Sequence, residues 1–229
     1  MANTIKMVVF DMAGTTVDEN NVVYKTLQKA LEGAGYPFTL DQVLLQGAGK
    51  EKLQAIKAIL QTYAGIDDEA IAKTVYESFI GQLATAYETL DILPQPNAVE
   101  LFSALKERGI LTVLNTGYNR ETAESILKKL NWQKGVEFDD LVTASEVKRN
   151  RPEPDMIWYA MKTFDVPLGK SVVKVGDSAI DIEEGKNAGC LLSIGITTGA
   201  HTAEQLSEAN PDHILNNLIE LLPIIDGTV

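Results

Sequence analysis

Four short, almost wholly apolar runs constrain this chain most: KMVVF (6–10), LTVL (111–114), VVKV (172–175) and LLSIGI (191–196). A strand without polar alternation must be covered on both faces, as in the interior of a parallel sheet. Between the runs lie helical spacings. Ala98, Leu101, Phe102 and Leu105 form one stripe, with Gly109 where that helix should stop. Ala123, Ile126, Leu127 and Leu130 form a second, and Ile157, Ala160, Met161 and Phe164 a third. Strands alternating with helices predict an α/β fold: a doubly wound parallel-sheet, Rossmann-like core.

The interval between the first two runs is too long for one crossover. Residues 17–90 carry helical stripes (Leu53, Ile56, Leu60, Tyr63; then Ile71, Val75, Phe79, Leu83) and no convincing strand. This predicts an all-helical cap of residues 17–90 inserted after the first strand, with residues 1–16 and 91–229 forming the α/β core. Its hinges are expected at Gly14–Asn20 and just before LPQPN (93–97).

Ligands of open α/β sheets bind beyond the C-terminal ends of the strands. Four polar segments are expected there: Asp11, NTG (Asn115, Thr116, Gly117), KRNRP (148–152) and GDSAID (176–181). Asp177 directly follows a strand and Asp181 lies one helical turn later. With Asp11 they make an acidic set suited to a hard cation such as Mg²⁺, which is usually held by one or two carboxylates plus substrate phosphate. The backbone N–H groups and side chains of 115–117 suit a phosphoryl oxygen, and a cation in KRNRP would neutralise charge on it.

The formal net charge of −12 argues against nucleic acid as a partner, while a local cation still permits an anionic substrate. The single cysteine, Cys190, excludes an intrachain disulfide and reads as a small buried hydrophobe. No apolar run approaches the ~20 residues of a membrane span, and MANTIKMVVFDM lacks the features of a signal peptide. A cytoplasmic location is the expectation.

Together FDMAGTTVDE, LNTGYNRE, RPEPDMI and KVGDSAIDIEEGKNAG resemble, in order and separation, the haloacid dehalogenase superfamily over essentially the whole chain. That resemblance implies Asp11 as a nucleophile that becomes an aspartyl phosphate. It also implies Mg²⁺ held by Asp11, the Ala13 carbonyl and Asp177, with Asp181 in support. The phosphoryl-neutralising cation would be Arg151, with Lys148 as competitor. Asn115 stands at the family's serine or threonine position, and Thr116 could substitute by a one-residue shift. A homodimer through the cap is implied by resemblance alone.

Phosphomonoester hydrolases of this superfamily carry an aspartate two residues after the nucleophile, to protonate the leaving alkoxide. Here that residue is Ala13. Alanine in a DxAGT context resembles the phosphonoacetaldehyde hydrolases, which cleave a phosphorus–carbon bond after a cap lysine forms an imine with the substrate aldehyde. Lys50, in QGAGKEKLQAI, matches that lysine, whereas Lys52 is expected to point elsewhere on its helix. Gln46 and Leu53 stand where that branch has methionine and histidine; His201 and His213, late in the chain, are poor substitutes for the histidine. The rival is a phosphatase for a small phosphate ester, drawing its acid from a residue such as Lys50 or Glu51. A third reading is a binding protein that kept the metal site and lost turnover.

Overall fold

The computed structural model describes residues 5–167 and 170–228, so the outermost residues of the expected core and residues 168–169 lie outside it. In chain order the elements are β1 (Met7–Asp11), β2 (Val17–Asp18), α1 (Val22–Gly33), α2 (Leu40–Gly47), α3 (Lys52–Ala64), α4 (Glu69–Thr89), β3 (Leu93–Pro94) and α5 (Ala98–Glu107). There follow β4 (Leu111–Thr116), α6 (Arg120–Leu130), β5 (Asp140–Thr143), α7 (Asp155–Thr163), β6 (Val172–Gly176), α8 (Ala179–Asn187), β7 (Leu192–Ile196), α9 (Ala203–Glu208), β8 (His213–Leu215) and α10 (Leu221–Gly227).

Six strands form one parallel sheet in the order β5-β4-β1-β6-β7-β8. β1 shows why its sequence lacks alternation. Val8 and Phe10 enter the hydrophobic cluster on one face, and Met7 and Val9 enter a second cluster on the other. From β1 the chain runs outward through β4 and β5, then crosses to β6 and continues to β8 on the opposite side. The direction reverses beside β1, so the crevice of a doubly wound sheet opens at the end of that strand, where Asp11 stands.

β5 and β8 carry no sequence signal of their own. β5 opens on Asp140, whose carboxylate takes the N–H of Leu141 and pairs with Lys134. β8 is a three-residue edge strand that starts on exposed His213.

Helices α1 to α4 fill the interval after β1. Their apolar faces, among them Val23, Leu27, Ile56 and Phe79, join the cluster that also holds Phe10 and Phe102 of the core. The chain leaves and re-enters the core through a small antiparallel ribbon, Val17 opposite Pro94 and Asp18 opposite Leu93. Among the described residues no helix is long and apolar enough to cross a membrane.

Candidate active site

β1 delivers Asp11, buried, to the sheet's C-terminal edge, and Thr16 Oγ1 donates to its backbone carbonyl at 3.0 Å. Arg151 meets the carboxylate, with Nη1 2.7 Å from Asp11 Oδ1. The guanidinium is only 1% exposed. Its Nε donates to Glu184 Oε2 (2.9 Å), Nη1 also to the Gly49 carbonyl (3.3 Å), and Nη2 to both Asn115 Oδ1 (2.7 Å) and the Asn115 carbonyl (3.1 Å). A guanidinium has five N–H donors, and all five are committed to protein. Arg151 therefore fixes Asp11 in place. Lys148, its competitor in the sequence, lies exposed in the preceding turn.

Asn115 and Thr116 end the same strand and do different things. The Asn115 amide donates to both Glu184 oxygens at 3.0 Å, and its oxygen accepts from Arg151 and from Lys174 Nζ (2.8 Å). Its side chain is spent inside the ion network. Thr116 and Gly117 instead line a small cavity of about 10 Å³ with Asp11, Ala13, Tyr24, Gly49, Lys52, Tyr118 and Arg151, room for about one water. A Cβ on Gly117 would sit 2.8 Å from the Lys50 carbonyl, so the α2–α3 loop closes over the core only against a glycine.

The two lysines of that loop lie on opposite sides of it, reversing the expectation for Lys52. Lys50 Nζ donates to the Gln46 carbonyl at 2.6 Å and faces a separate cavity with Glu183 and His201. Half-burial lowers its pKa, with Glu183 opposing. Lys52 is 6% exposed and lines the Asp11 cavity. Its amine donates to the Lys50 carbonyl at 2.7 Å and lies 5.3 Å and 5.4 Å from the ring centroids of Tyr24 and Tyr118. Burial lowers its pKa, opposed by the charges of Asp11, Glu51 and Glu19.

The turn explains the reversal. Gly49 has φ +71, and α3 starts only at Lys52, capped by the Glu51 carboxylate on the N–H groups of Leu53 and Gln54. Side chains of a helix tilt toward its N-terminus, which aims the first residue of α3 back over the turn and into the cavity.

The acidic set divides in two. Asp181 lies within 3.1 Å of Arg151 and 2.9 Å of Lys174, and these cations hold its carboxyl low against the effect of burial. Asp177 has no cation partner among the described residues. It accepts the Ala200 N–H at 2.6 Å and packs its carboxylate against the Gly14 backbone, where φ is +86. Burial, with the charges of Asp11 and Asp181, pushes its pKa well up. Burial likewise raises Asp11, with Arg151 opposing. Among the described residues no three His, Cys, Asp or Glu side chains are arranged to hold a metal ion.

Several members of the site escape sequence reading. Lys174 sits in the middle of VVKV and is completely buried. A charge in a strand covered on both faces must be paired, and this signal marks it. Glu184, one turn after Asp181, could be found by the same helical spacing. Tyr24, Tyr118 and Glu19 give no comparable hint. His201 accepts the Ala179 N–H on Nδ1 in the Lys50 cavity, and Cys190 is packed against the core with its thiol pushed up to about 12 by burial.

Residues 5–189 match the model of the haloacid dehalogenase-like hydrolases. A phosphonoacetaldehyde hydrolase from Parabacteroides distasonis is 33% identical over 212 residues, covering 86% of this chain and 78% of that protein. A bifunctional phosphonoacetaldehyde hydrolase/aminoethylphosphonate transaminase from Clostridioides difficile is 32% identical over 86% of the chain, which spans only 32% of that longer protein. Among solved structures, a phosphonoacetaldehyde hydrolase-like protein from Oleispira antarctica superposes with TM-score 0.85 at 21% identity, covering 99% of this chain and 93% of its own. A predicted phosphoglycolate phosphatase from Haemophilus somnus superposes with TM-score 0.76 at 21% identity, covering 96% and 97%. The shared fold thus serves proteins named for different phosphorus chemistries.

Proposed function

The chain belongs to the haloacid dehalogenase-like hydrolases, and on that premise we propose that it hydrolyses the phosphorus–carbon bond of a small phosphonate aldehyde, phosphonoacetaldehyde or a close analogue. The reading is carried by one observation: the cavity that holds Asp11 contains an amine, Lys52, and has Ala13 where an ester-cleaving relative needs an acid.

Lys52 adds to the substrate aldehyde and loses water to give a protonated imine. Asp11 then attacks phosphorus. The P–C bond electrons flow into the iminium, leaving an enamine on Lys52 and an aspartyl phosphate on Asp11. No alkoxide departs, so no acid is needed at residue 13. Water hydrolyses the aspartyl phosphate; protonation of the enamine and hydrolysis of the imine release the aldehyde. Arg151 orients the Asp11 carboxylate, Thr116 and the backbone of Gly117 face the phosphoryl group, and Asn115 supports them from the ion network. The cavity is too small to hold the substrate, so substrate enters with the α2–α3 loop lifted.

The donor set fits Mg²⁺: Asp11 and Asp177 are crowded, desolvated carboxylates, and Asp177 lacks a counter-charge among the described residues. Asp11, the Ala13 carbonyl and Asp177 would hold the ion, with Asp181 outside them. It would supply positive charge against the phosphoryl oxygens.

The alternative is a phosphomonoesterase in which the Lys52 ammonium protonates a leaving alkoxide. Borohydride reduction in the presence of phosphonoacetaldehyde separates the two. The P–C reading expects inactivation and added mass on the peptide holding Lys52. Rapid turnover of alkyl phosphates with no label favours the ester reading.

A further inference from the structure

The mechanism leaves the buried acid Glu19 unused. Glu19 lies in the hinge between β2 and α1 and is 4% exposed. Its Oε2 accepts the Val23 N–H at 2.9 Å and the Tyr87 hydroxyl at 3.3 Å. Tyr87, near the end of α4, shares a 2.8 Å hydrogen bond with the hydroxyl of Tyr118, which follows β4 in the core. Because Tyr87 donates to Glu19, Tyr118 donates to Tyr87. Tyr118 lines the Asp11 cavity, and its ring covers the Lys52 amine. Hinge, helical insert and core each contribute one member, so the chain is complete only when the insert is closed.

We propose that Glu19 is the proton acceptor and donor for Lys52, linked to the cavity through the hydroxyls of Tyr87 and Tyr118. The proposal rests on the imine chemistry above. Imine formation moves protons twice. The Lys52 ammonium, which among the described residues hydrogen-bonds the Lys50 carbonyl and neither tyrosine hydroxyl, must first lose one to free its lone pair. A water in the cavity carries it to the Tyr118 hydroxyl, and Glu19 takes it as each tyrosine passes one proton on and gains another. The amine adds to the carbonyl carbon, giving a carbinolamine. The stored proton then returns to the carbinolamine hydroxyl, which leaves as water, and the iminium remains. Glu19 ends as the carboxylate it began as.

The surroundings suit this exchange. Burial pushes the Glu19 pKa up to about 7, opposed by the Val23 N–H, Tyr87, and the charges of Lys52 and Lys25. Glu19 and Lys52 therefore feel each other's charge, and the groups facing Lys52 are Asp11, Glu51, Arg151 and Glu19. A general acid works best with a pKa near the operating pH.

The test uses the full chain with Mg²⁺. Trapping of acetaldehyde on Lys52 by cyanoborohydride is timed at pH 7.5, where loss of water limits imine formation. Separately, the Lys52 amine is titrated by NMR in lysine-labelled protein. Glu19→Gln should slow trapping at least tenfold and move the Lys52 midpoint down by about one pH unit, because the carboxylate that holds its proton is gone. Tyr87→Phe should slow trapping and leave the midpoint almost unchanged, since Glu19 keeps its charge; it also serves if Glu19→Gln fails to fold. Unchanged trapping in a folded variant overturns the relay, as does an unmoved Lys52 midpoint in Glu19→Gln. Absence of any label at Lys52 in the wild type defeats the imine reading instead, and the titration then still decides whether Glu19 governs the charge of Lys52.

Discussion

The Lys52 amine donates to the backbone carbonyl of Lys50 at 2.7 Å. Through that bond the two lysines divide the loop: the Lys50 main chain packs against Gly117, and Lys52 contributes the amine to the Asp11 cavity. An amine held over two aromatic faces in a nearly dry site gains from cation–π attraction as an ammonium and loses hydration, the larger effect here. A nucleophilic lysine needs its proton held loosely in this way.

The two positions therefore separate in a mutational test. Lys52→Met should reduce P–C hydrolysis at least a thousandfold while the folded state is retained. Lys50→Met, whose side chain faces the other cavity, should keep turnover within about threefold. Steady-state kinetics with circular dichroism checks both, and loss of activity in Lys50→Met alone would return the imine to Lys50.

Removal of the proposed nucleophile is expected to be as complete. Asp11→Asn keeps the shape of the side chain and the Arg151 contact but cannot form a stable acyl phosphate, so turnover should vanish with the fold intact. EDTA should silence the wild-type enzyme and Mg²⁺ restore it. Full activity in EDTA would remove the metal from the account.

Ala13 offers a gain-of-function test. Ala13→Asp installs a carboxyl beside the cavity, and general acid catalysis typically contributes about 10²–10⁴-fold. Hydrolysis of p-nitrophenyl phosphate has a good leaving group and should change little. Hydrolysis of an alkyl phosphate should rise at least tenfold, and P–C cleavage should not improve.

Glu19 makes stability depend on pH. Its carboxyl is raised from 4.5 to about 7 on folding, so the folded state binds that proton more tightly than the unfolded chain. Stability is thus lost as pH rises from about 4.5 through about 7, by up to about 3 kcal/mol at 1.36 kcal/mol per unit. Glu19→Gln cannot ionise and should be more stable than wild type in urea at pH 8, relative to the difference at pH 4.5. An equal difference at both pH values would show that Glu19 titrates normally.

Much of the frame was legible in the residues. Four apolar runs located β1, β4, β6 and β7, because strands covered on both faces cannot alternate. Asp11 at the end of the first run fell at the sheet's edge. The helical stripes at Leu101–Leu105 and Val75–Phe79 marked buried faces, since a period of 3.6 reports one side of a helix whatever it packs against. Lys174 is legible in principle, since a charge inside VVKV demands partners.

Other features depended on contacts between distant segments. The sequence alone determined that Asp11 would stand at a switch point in a parallel sheet, with helices following it in the chain, because these follow from local periodicity and segment order. A nucleophile's role for Asp11, and Ala13 in place of an acid, are what the family resemblance implies. Only the tertiary structure decided that Lys52 enters the cavity and Lys50 leaves it, that Asn115 turns into the ion network while Thr116 faces the cavity, and that Glu19, Tyr87 and Tyr118 meet. A left-handed turn at Gly49 and the late start of α3 set the lysines' directions, and a helical period says nothing about a loop. Residues 19, 87 and 118 touch only because the insert packs down on the core, a contact that no local pattern encodes.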